Sequence, residues 1–337
     1  MDQPIRTGLL AFGMSGRIFH APFLTTNPAF SLEAVAERHT KKAKAFYPDL
    51  KSYDTTEELI NDPELELIVV NTPNNTHFML AKAALQAGKH VLIEKPCAPT
   101  AAEAKELFDL GRELNREVMV YQNRRWNSDF MVVKEVLEMG QLGKLIEVHF
   151  RYDRWRPAIG PKVFKETPLP ASGILYDLGP HLLDQAITLF GKPVAFSKSL
   201  GSFRHKTQVP DYAFIHLQYP ENLNVFLHAS LLVAKPLPAF VLNGTRGSFI
   251  KKMTDVQEVQ LDKGMSPLSV GYGLEETGTE GELTCINPET DQLETTTIPS
   301  VKGNFMAIFD AVHQTIRHKK PFPVSEEDIL TQLTILE

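Results

Sequence analysis

The chain has 337 residues, 43% apolar and 23% charged, with scattered Gly and Pro; this suits a globular protein of one large or two domains and excludes a disordered or collagen-like chain. A formal charge of −6 argues against general nucleic-acid binding, and no run reaches the ~18 apolar residues of a membrane span. Residues 1–16 lack the layout of a signal peptide. The two cysteines, Cys97 and Cys285, are too few for a Cys-rich zinc site or a disulfide framework, so a reducing cytoplasm and a small-molecule partner are expected.

The first third alternates short apolar runs with helix-like segments. Strands are expected at residues 5–12, 32–36, 65–71, 90–94 and 118–122, several near-continuous in Val, Ile and Leu, as where helices cover both faces of a sheet. Helices are expected at 76–87, closed by Gly88, and at 100–114, where Thr100 and Glu103 have capping-box spacing. Such alternation predicts a parallel α/β sheet.

Near residue 123 the pattern changes. A helix is expected at 128–139, ending at Gly140, then a long strand at 145–155, a Pro-rich loop at 156–170 and a helix at 177–190. Short strands dominate afterwards, at 194–199, 212–218, 225–232, 239–242, 248–251 and 292–298, and helices at 304–318 and 326–337 close the chain. The Gly- and acid-rich stretch 255–282 reads as a surface excursion. Strands in a row predict an antiparallel α+β second domain. The expected division is 1–122 and 123–337.

After the first strand comes Ala11-Phe12-Gly13-Met14-Ser15-Gly16, a Gly-x-Gly-x-x-Gly turn with Ala in the first place. In a dinucleotide-binding fold such glycines allow a tight turn and close backbone approach to pyrophosphate. Phe12, Gly13, Met14, Ser15 and Gly16 are therefore the expected cradle. An acid follows ~20 residues later, Glu37, at the end of the second strand. Glu37 would accept hydrogen bonds from ribose hydroxyls and favour NAD; Arg38 would pair with a 2′-phosphate and favour NADP. Both cofactors stay open, and Arg38-His39-Thr40-Lys41-Lys42 also reads as a solvated helix start.

Thr72-Pro73-Asn74-Asn75-Thr76-His77 and Glu94-Lys95-Pro96 each follow an apolar strand, where doubly wound folds bind ligands. Thr72, Pro73, Asn75, His77, Glu94 and Lys95 are expected to bind the cofactor, with Thr72, Pro73 and His77 on its nicotinamide side. A lysine closing a buried strand is unusual, although one that simply reaches water is the plainer reading. In Tyr176-Asp177-Leu178-Gly179-Pro180-His181-Leu182-Leu183-Asp184, the i, i+4, i+7 spacing puts Asp177, His181 and Asp184 on one helical face. Pro180 is expected only in a first turn, so the helix should start near Asp177. Asp177 is then an N-cap, or with His181 it serves proton transfer. Asn123, Arg124, Tyr152 and Arg154 are expected substrate ligands, Tyr152 and Arg154 sharing a strand face.

Taken in order, and with Phe19-His20-Ala21-Pro22, these motifs make the chain resemble the glucose–fructose oxidoreductase/inositol dehydrogenase (Gfo/Idh/MocA) family over essentially its whole length. Asn123-Arg124-Arg125-Trp126-Asn127-Ser128-Asp129-Phe130 and Tyr152-Asp153-Arg154-Trp155-Arg156-Pro157 look like the subgroup containing NADP-dependent scyllo-inositol dehydrogenases. The resemblance implies an N-terminal Rossmann domain and a C-terminal α+β domain on an open, mainly antiparallel sheet, which joins subunits into homodimers or homotetramers. It implies a catalytic set carried here by Lys95, Asp177 and His181, no metal, and NAD(P)-linked oxidation of a cyclic polyol or sugar. Two departures stand out. Ala11 replaces the first glycine, and family members continue the last helix and add a strand beyond the position of Glu337, which leaves open whether the chain is truncated.

Rival readings differ in class. A non-catalytic dinucleotide sensor or repressor on the same fold would be expected to lack part of the catalytic set, yet Lys95, Asp177 and His181 are all present. A metal-dependent enzyme would need clustered ligands or His-Glu-x-x-His, which the sequence lacks. A sugar acid is the alternative substrate, because arginine binds carboxylates bidentately as readily as it binds hydroxyls.

Overall fold

The apolar runs at the start of the chain pair side by side. In the computed structural model, which describes residues 3–337, β1 (Ile5–Leu9), β2 (Phe30–Ala36), β3 (Lys51–Tyr53), β4 (Leu67–Val70), β5 (His90–Glu94) and β6 (Val118–Tyr121) form one sheet in the order β3-β2-β1-β4-β5-β6. Every pairing is parallel. Leu67 to Val70 and Val91 to Ile93 are fully buried, as expected of strands covered on both faces. The strand order reverses between β1 and β4, and loops beyond the carboxyl ends of strands at such a point form the ligand crevice of open α/β sheets.

Two details differ from the sequence expectation. The edge strand β3 has only three residues, Lys51, Ser52 and Tyr53, and no apolar period to announce it. β1 stops at Leu9 rather than at Phe12, because the backbone of Ala11 is taken by a side chain instead of a neighbouring strand. The capping box at Thr100 and Glu103 does open helix Ala101–Glu113, and a cap of this kind is worth about 1 kcal/mol.

The chain divides into two compact units. The first holds the residues up to Asn123 together with Gln257–Tyr272 and Phe305–Thr334; the second holds Arg124–Val256, Gly273–Asn304 and Ile335–Glu337. The boundary at 123 therefore marks only where the chain first leaves unit 1. It returns because helix Met306–His318 carries an apolar stripe, with Ile308, Phe309 and Val312 fully buried and Phe309 stacked on Phe23 at 5.0 Å.

In unit 2, β7 (Leu145–Asp153), β8 (Ala195–Gly201), β9 (Tyr212–Gln218), β10 (Asn224–Ser230), β11 (Phe240–Gly244), β12 (Gly247–Lys251), β13 (Gly281–Ile286) and β14 (Leu293–Ile298) form a sheet ordered β14-β13-β12-β11-β7-β10-β9-β8. Only the pair β7–β10 is parallel. Val148, Phe150 and Tyr152 alternate into the core along β7, where helix Gly173–Phe190 packs on β7, β9 and β10. The opposite face carries half-buried rings, Phe226 stacking on His149, Phe214 and His216.

The stretch 255–282 is only in part the surface excursion its composition suggests: residues 262–266 and 276–278 are exposed. Gln257, Leu261 and Tyr272 are buried, and residues 281–286 form β13. Two of its acids are satisfied inside unit 2: Asp255 Oδ2 accepts from Ser128 N at 2.8 Å, and Glu275 pairs with the fully buried Lys251 at 3.0 Å.

Helix Gly173–Phe190 also begins a turn earlier than expected, with Ser172 at its N-cap, so Pro180 lies in its interior and Asp177 is not a cap. An interior proline costs about 3 kcal/mol. Leu178, Leu182 and Leu183 are each buried, and at about 1.5–3 kcal/mol apiece their packing outweighs that cost. Among the described residues no helix is long and apolar enough to cross a membrane.

Candidate active site

The glycine turn joins β1 to a helical run that begins wide at Gly16–His20 and continues as Ala21–Thr26. Its two glycines answer different needs. A Cβ on Gly16 would lie 2.3 Å from Ala11 O, so only glycine lets the helix pack on the turn. A Cβ on Gly13 would meet nothing within 4 Å, leaving the turn open to close approach by a phosphate backbone. Gly13 and Met14 are exposed, whereas Phe12 is buried against the rings of Phe46 and Tyr47. The turn is pinned by Asn71, whose Oδ1 accepts from Ala11 N at 2.9 Å and whose Nδ2 donates to Ala11 O at 2.8 Å. Asn71 was not singled out from the sequence; its only signal there is a polar residue closing the apolar run before Thr72.

The strand-end motif is held from two sides. Glu94 Oε1 accepts from Ser15 Oγ at 2.6 Å and from His20 Nε2 at 3.0 Å. Burial would push the Glu94 carboxyl up, but the bond and charge of His20, the Ser15 hydroxyl and the Lys95 charge outweigh it and hold the group at about 2. The sequence expectation put Glu94 on the cofactor; one of its oxygens is instead committed to supporting the glycine turn. Lys95, half-buried, precedes Pro96 through a cis peptide bond.

His77 lies in the support rather than on a ligand surface. It is fully buried, with Nδ1 2.7 Å from Pro96 O and Nε2 2.8 Å from Thr72 O. Burial pushes its pKa below the ordinary histidine value, so the neutral ring donates to one carbonyl at a time. The ring thereby fills the space between the Thr72 loop and the turn after Lys95. Thr72 Oγ1 lies 2.7 Å from Thr76 Oγ1, Pro73 is half-buried and Asn75 is exposed.

Glu37 is likewise turned inward. Its Oε1 accepts from Lys42 N at 2.7 Å and Ala43 N at 3.1 Å, and its Oε2 accepts from Ser52 Oγ at 3.0 Å. The carboxylate thus caps the loop after β2 instead of standing open to a ribose, while Arg38, His39 and Lys42 are exposed.

In unit 2 three expected ligands come together. The Arg154 guanidinium lies over the Tyr152 ring, 4.8 Å from its centroid, and that ring stacks on His181 at 6.4 Å. One turn earlier on the same helix Asp177 pairs with Lys165, a residue the sequence did not single out. Asp184 does not join this group: its oxygens lie 2.9 and 2.8 Å from Nε and Nη2 of Arg125, in a buried bidentate pair. Asn123 and Arg124 are buried in the helical turn Asn123–Trp126. Among the described residues no group of three or more His, Cys, Asp or Glu could hold a metal ion.

The family model described as "Oxidoreductase family, NAD-binding Rossmann fold" matches residues 5–122, and the "GFO/IDH/MocA C-terminal domain" model matches residues 130–250. The uncharacterized oxidoreductase YdgJ of Escherichia coli (strain K12) is 38% identical, the match covering 100% of this chain and 96% of that protein. The scyllo-inositol 2-dehydrogenase (NADP(+)) IolW of Bacillus subtilis (strain 168) is 33% identical over 99% of this chain and 92% of its own. The crystal structure of an oxidoreductase from Bacillus cereus superposes with a TM-score of 0.89 at 35% identity, over 98% of this chain and 94% of that one.

Proposed function

The chain belongs to the Gfo/Idh/MocA oxidoreductase family as an NAD(P)-dependent dehydrogenase acting on a small molecule, and from that premise we propose that it oxidises a secondary alcohol of a cyclic polyol or aldopyranose. The observation that carries the reading is the row Arg154–Tyr152–His181, with Asp177 one turn away. It offers donors, an imidazole and an acceptor suited to a ring bearing several hydroxyls.

Bound NAD(P)+ supplies the hydride acceptor. The residues that fit it are Gly13, Ser15 and Gly16 at the pyrophosphate and Thr72 and Pro73 toward the nicotinamide. His181 takes the hydroxyl proton, imidazole being the side chain that commonly serves as general base near neutrality. Lys95 orients that hydroxyl and stabilises negative charge as it develops on oxygen. Asp177 accepts from substrate hydroxyls, and Arg124, Tyr152 and Arg154, with Asn123, hold the remainder of the ring. The oxygen loses its proton to His181; the bound dinucleotide would take the hydride from the carbon, so that a ketone or lactone would result. The inward-turned Glu37 and the exposed Arg38 favour NADP over NAD. The half-buried rings on the second sheet's outer face support a homodimer or homotetramer built through that face.

A spectrophotometric screen of inositols and aldoses with NAD and with NADP tests the assignment. Turnover of at least one polyol is expected, lowered by ~10²–10⁴-fold in His181→Ala while dinucleotide binding persists. Dinucleotide binding without oxidation of any polyol or aldose would overturn it.

A further inference from the structure

Lys165 lies on the short helical turn Val163–Glu166 and pairs with Asp177. Neither side chain is sealed, with 33% of Lys165 and 23% of Asp177 exposed, so the pair itself adds little stability. Its support is of another kind. Arg204, 2% exposed, reaches Glu166, the residue after Lys165, with Nη2–Oε2 2.7 Å and Nη1–Oε1 3.3 Å. The same guanidinium donates to Ala158 O and, through Nε, to Asp211 Oδ2, both at 3.2 Å. Gly160 N donates to Glu166 Oε1 at 3.0 Å. A guanidinium is buried at high cost unless its donors are satisfied; here its partners fix segment 158–166 and, with it, the backbone that carries Lys165.

We propose that Lys165 and Asp177 form a donor–acceptor pair that recognises two adjacent hydroxyls of a neutral ring substrate, which makes Lys165 a specificity-determining residue. This rests on the polyol reading above. An ammonium only donates and a carboxylate only accepts. Side by side they match a vicinal diol, in which one hydroxyl gives its proton to Asp177 and the neighbouring oxygen accepts from Lys165. A substrate carboxylate would gain Lys165 but meet the like charge of Asp177. His181, four residues after Asp177, lies on the same helical face, so the pair reads hydroxyls close to the one oxidised.

Steady-state kinetics at saturating dinucleotide test this with myo-inositol, its monodeoxy analogues and glucuronate, in the wild type, Lys165→Met and Lys165→Arg. Lys165→Met is expected to raise KM for inositol about 10–100-fold, the loss of one charge-assisted hydrogen bond. Its kcat should change far less, with melting temperature and dinucleotide affinity unchanged. Lys165→Arg should restore most of the affinity, and the penalty for removing one hydroxyl should shrink in Lys165→Met. Wild-type KM in Lys165→Met, or wild-type preference for glucuronate over inositol, would overturn the proposal. A wild type that oxidises no polyol overturns the polyol reading itself; polyol oxidation unaffected by Lys165→Met removes only the role of Lys165.

Discussion

His20 Nε2 donates to Glu94 Oε1 across 3.0 Å, joining the helical run after the glycine turn to the strand end that carries Lys95. His20 is itself fully buried, its ring 4.4 Å from that of Tyr121, whose hydroxyl donates to Phe19 O at 2.8 Å. Its Nδ1 is buried with no hydrogen-bond partner among the described residues, and Nε2 carries a proton because the Glu94 carboxylate can only accept. The link therefore has one direction, from imidazole to carboxylate.

A pH dependence follows from the Glu94 end. Burial raises its pKa, but His20, Ser15 and Lys95 bring it down from an ordinary 4.5 to about 2. A carboxyl depressed in the fold stabilises above its unfolded value, and that share is lost as pH falls from about 4.5 through 2. The amount is on the order of 3 kcal/mol. His20→Leu removes one donor, so acid unfolding followed by circular dichroism should begin at higher pH than in the wild type. Coincident acid-unfolding curves would show that the bond contributes nothing.

The two glycines of the turn should separate in their effects. Gly13→Ala meets no protein atom within 4 Å, so its melting temperature should match the wild type while dinucleotide affinity falls. Gly16→Ala would place a Cβ 2.3 Å from Ala11 O and 3.0 Å from Asn71 Nδ2. It should destabilise the fold by about 1–3 kcal/mol. Thermal melts beside fluorescence titration of the dinucleotide distinguish the two, and the reverse pattern would contradict these roles.

Arg38→Ala is expected to weaken NADP by about 10–100-fold, the worth of a charge-assisted hydrogen bond, and to leave NAD nearly unchanged. Titrations of both cofactors at one salt concentration measure it. Equal losses would show that Arg38 does not read a 2′-phosphate.

The Arg125–Asp184 pair, 7% and 1% exposed, should be costly to break from one side. Arg125→Met or Asp184→Leu alone leaves a buried charge and is expected to lose about 3–5 kcal/mol in urea unfolding. The double variant should lose markedly less. Additive losses would place the energy outside the pair.

Near-continuous apolar runs such as 67–70 and 91–93, the glycines at 13 and 16, and the Thr100–Glu103 spacing are local signals, and from them the parallel sheet, its turn and its caps were legible. The ordered motifs carried the family and the dehydrogenase reading as well. What neighbours in sequence do not encode is whether a polar side chain faces a ligand or another part of the protein. Glu37 turned out to cap its own loop, His77 to sit between Thr72 and Pro96, and Asp184 to pair with Arg125, because each partner comes from a distant segment or from the path of the backbone. Lys165 pairs with Asp177 from a segment that the buried Arg204 holds through Glu166. The same holds for Pro180, whose helix begins at Gly173 because the packing of its leucines outweighs a local penalty. Periodicity is written along the chain; the assignment of each polar group is decided by which segments fold against it.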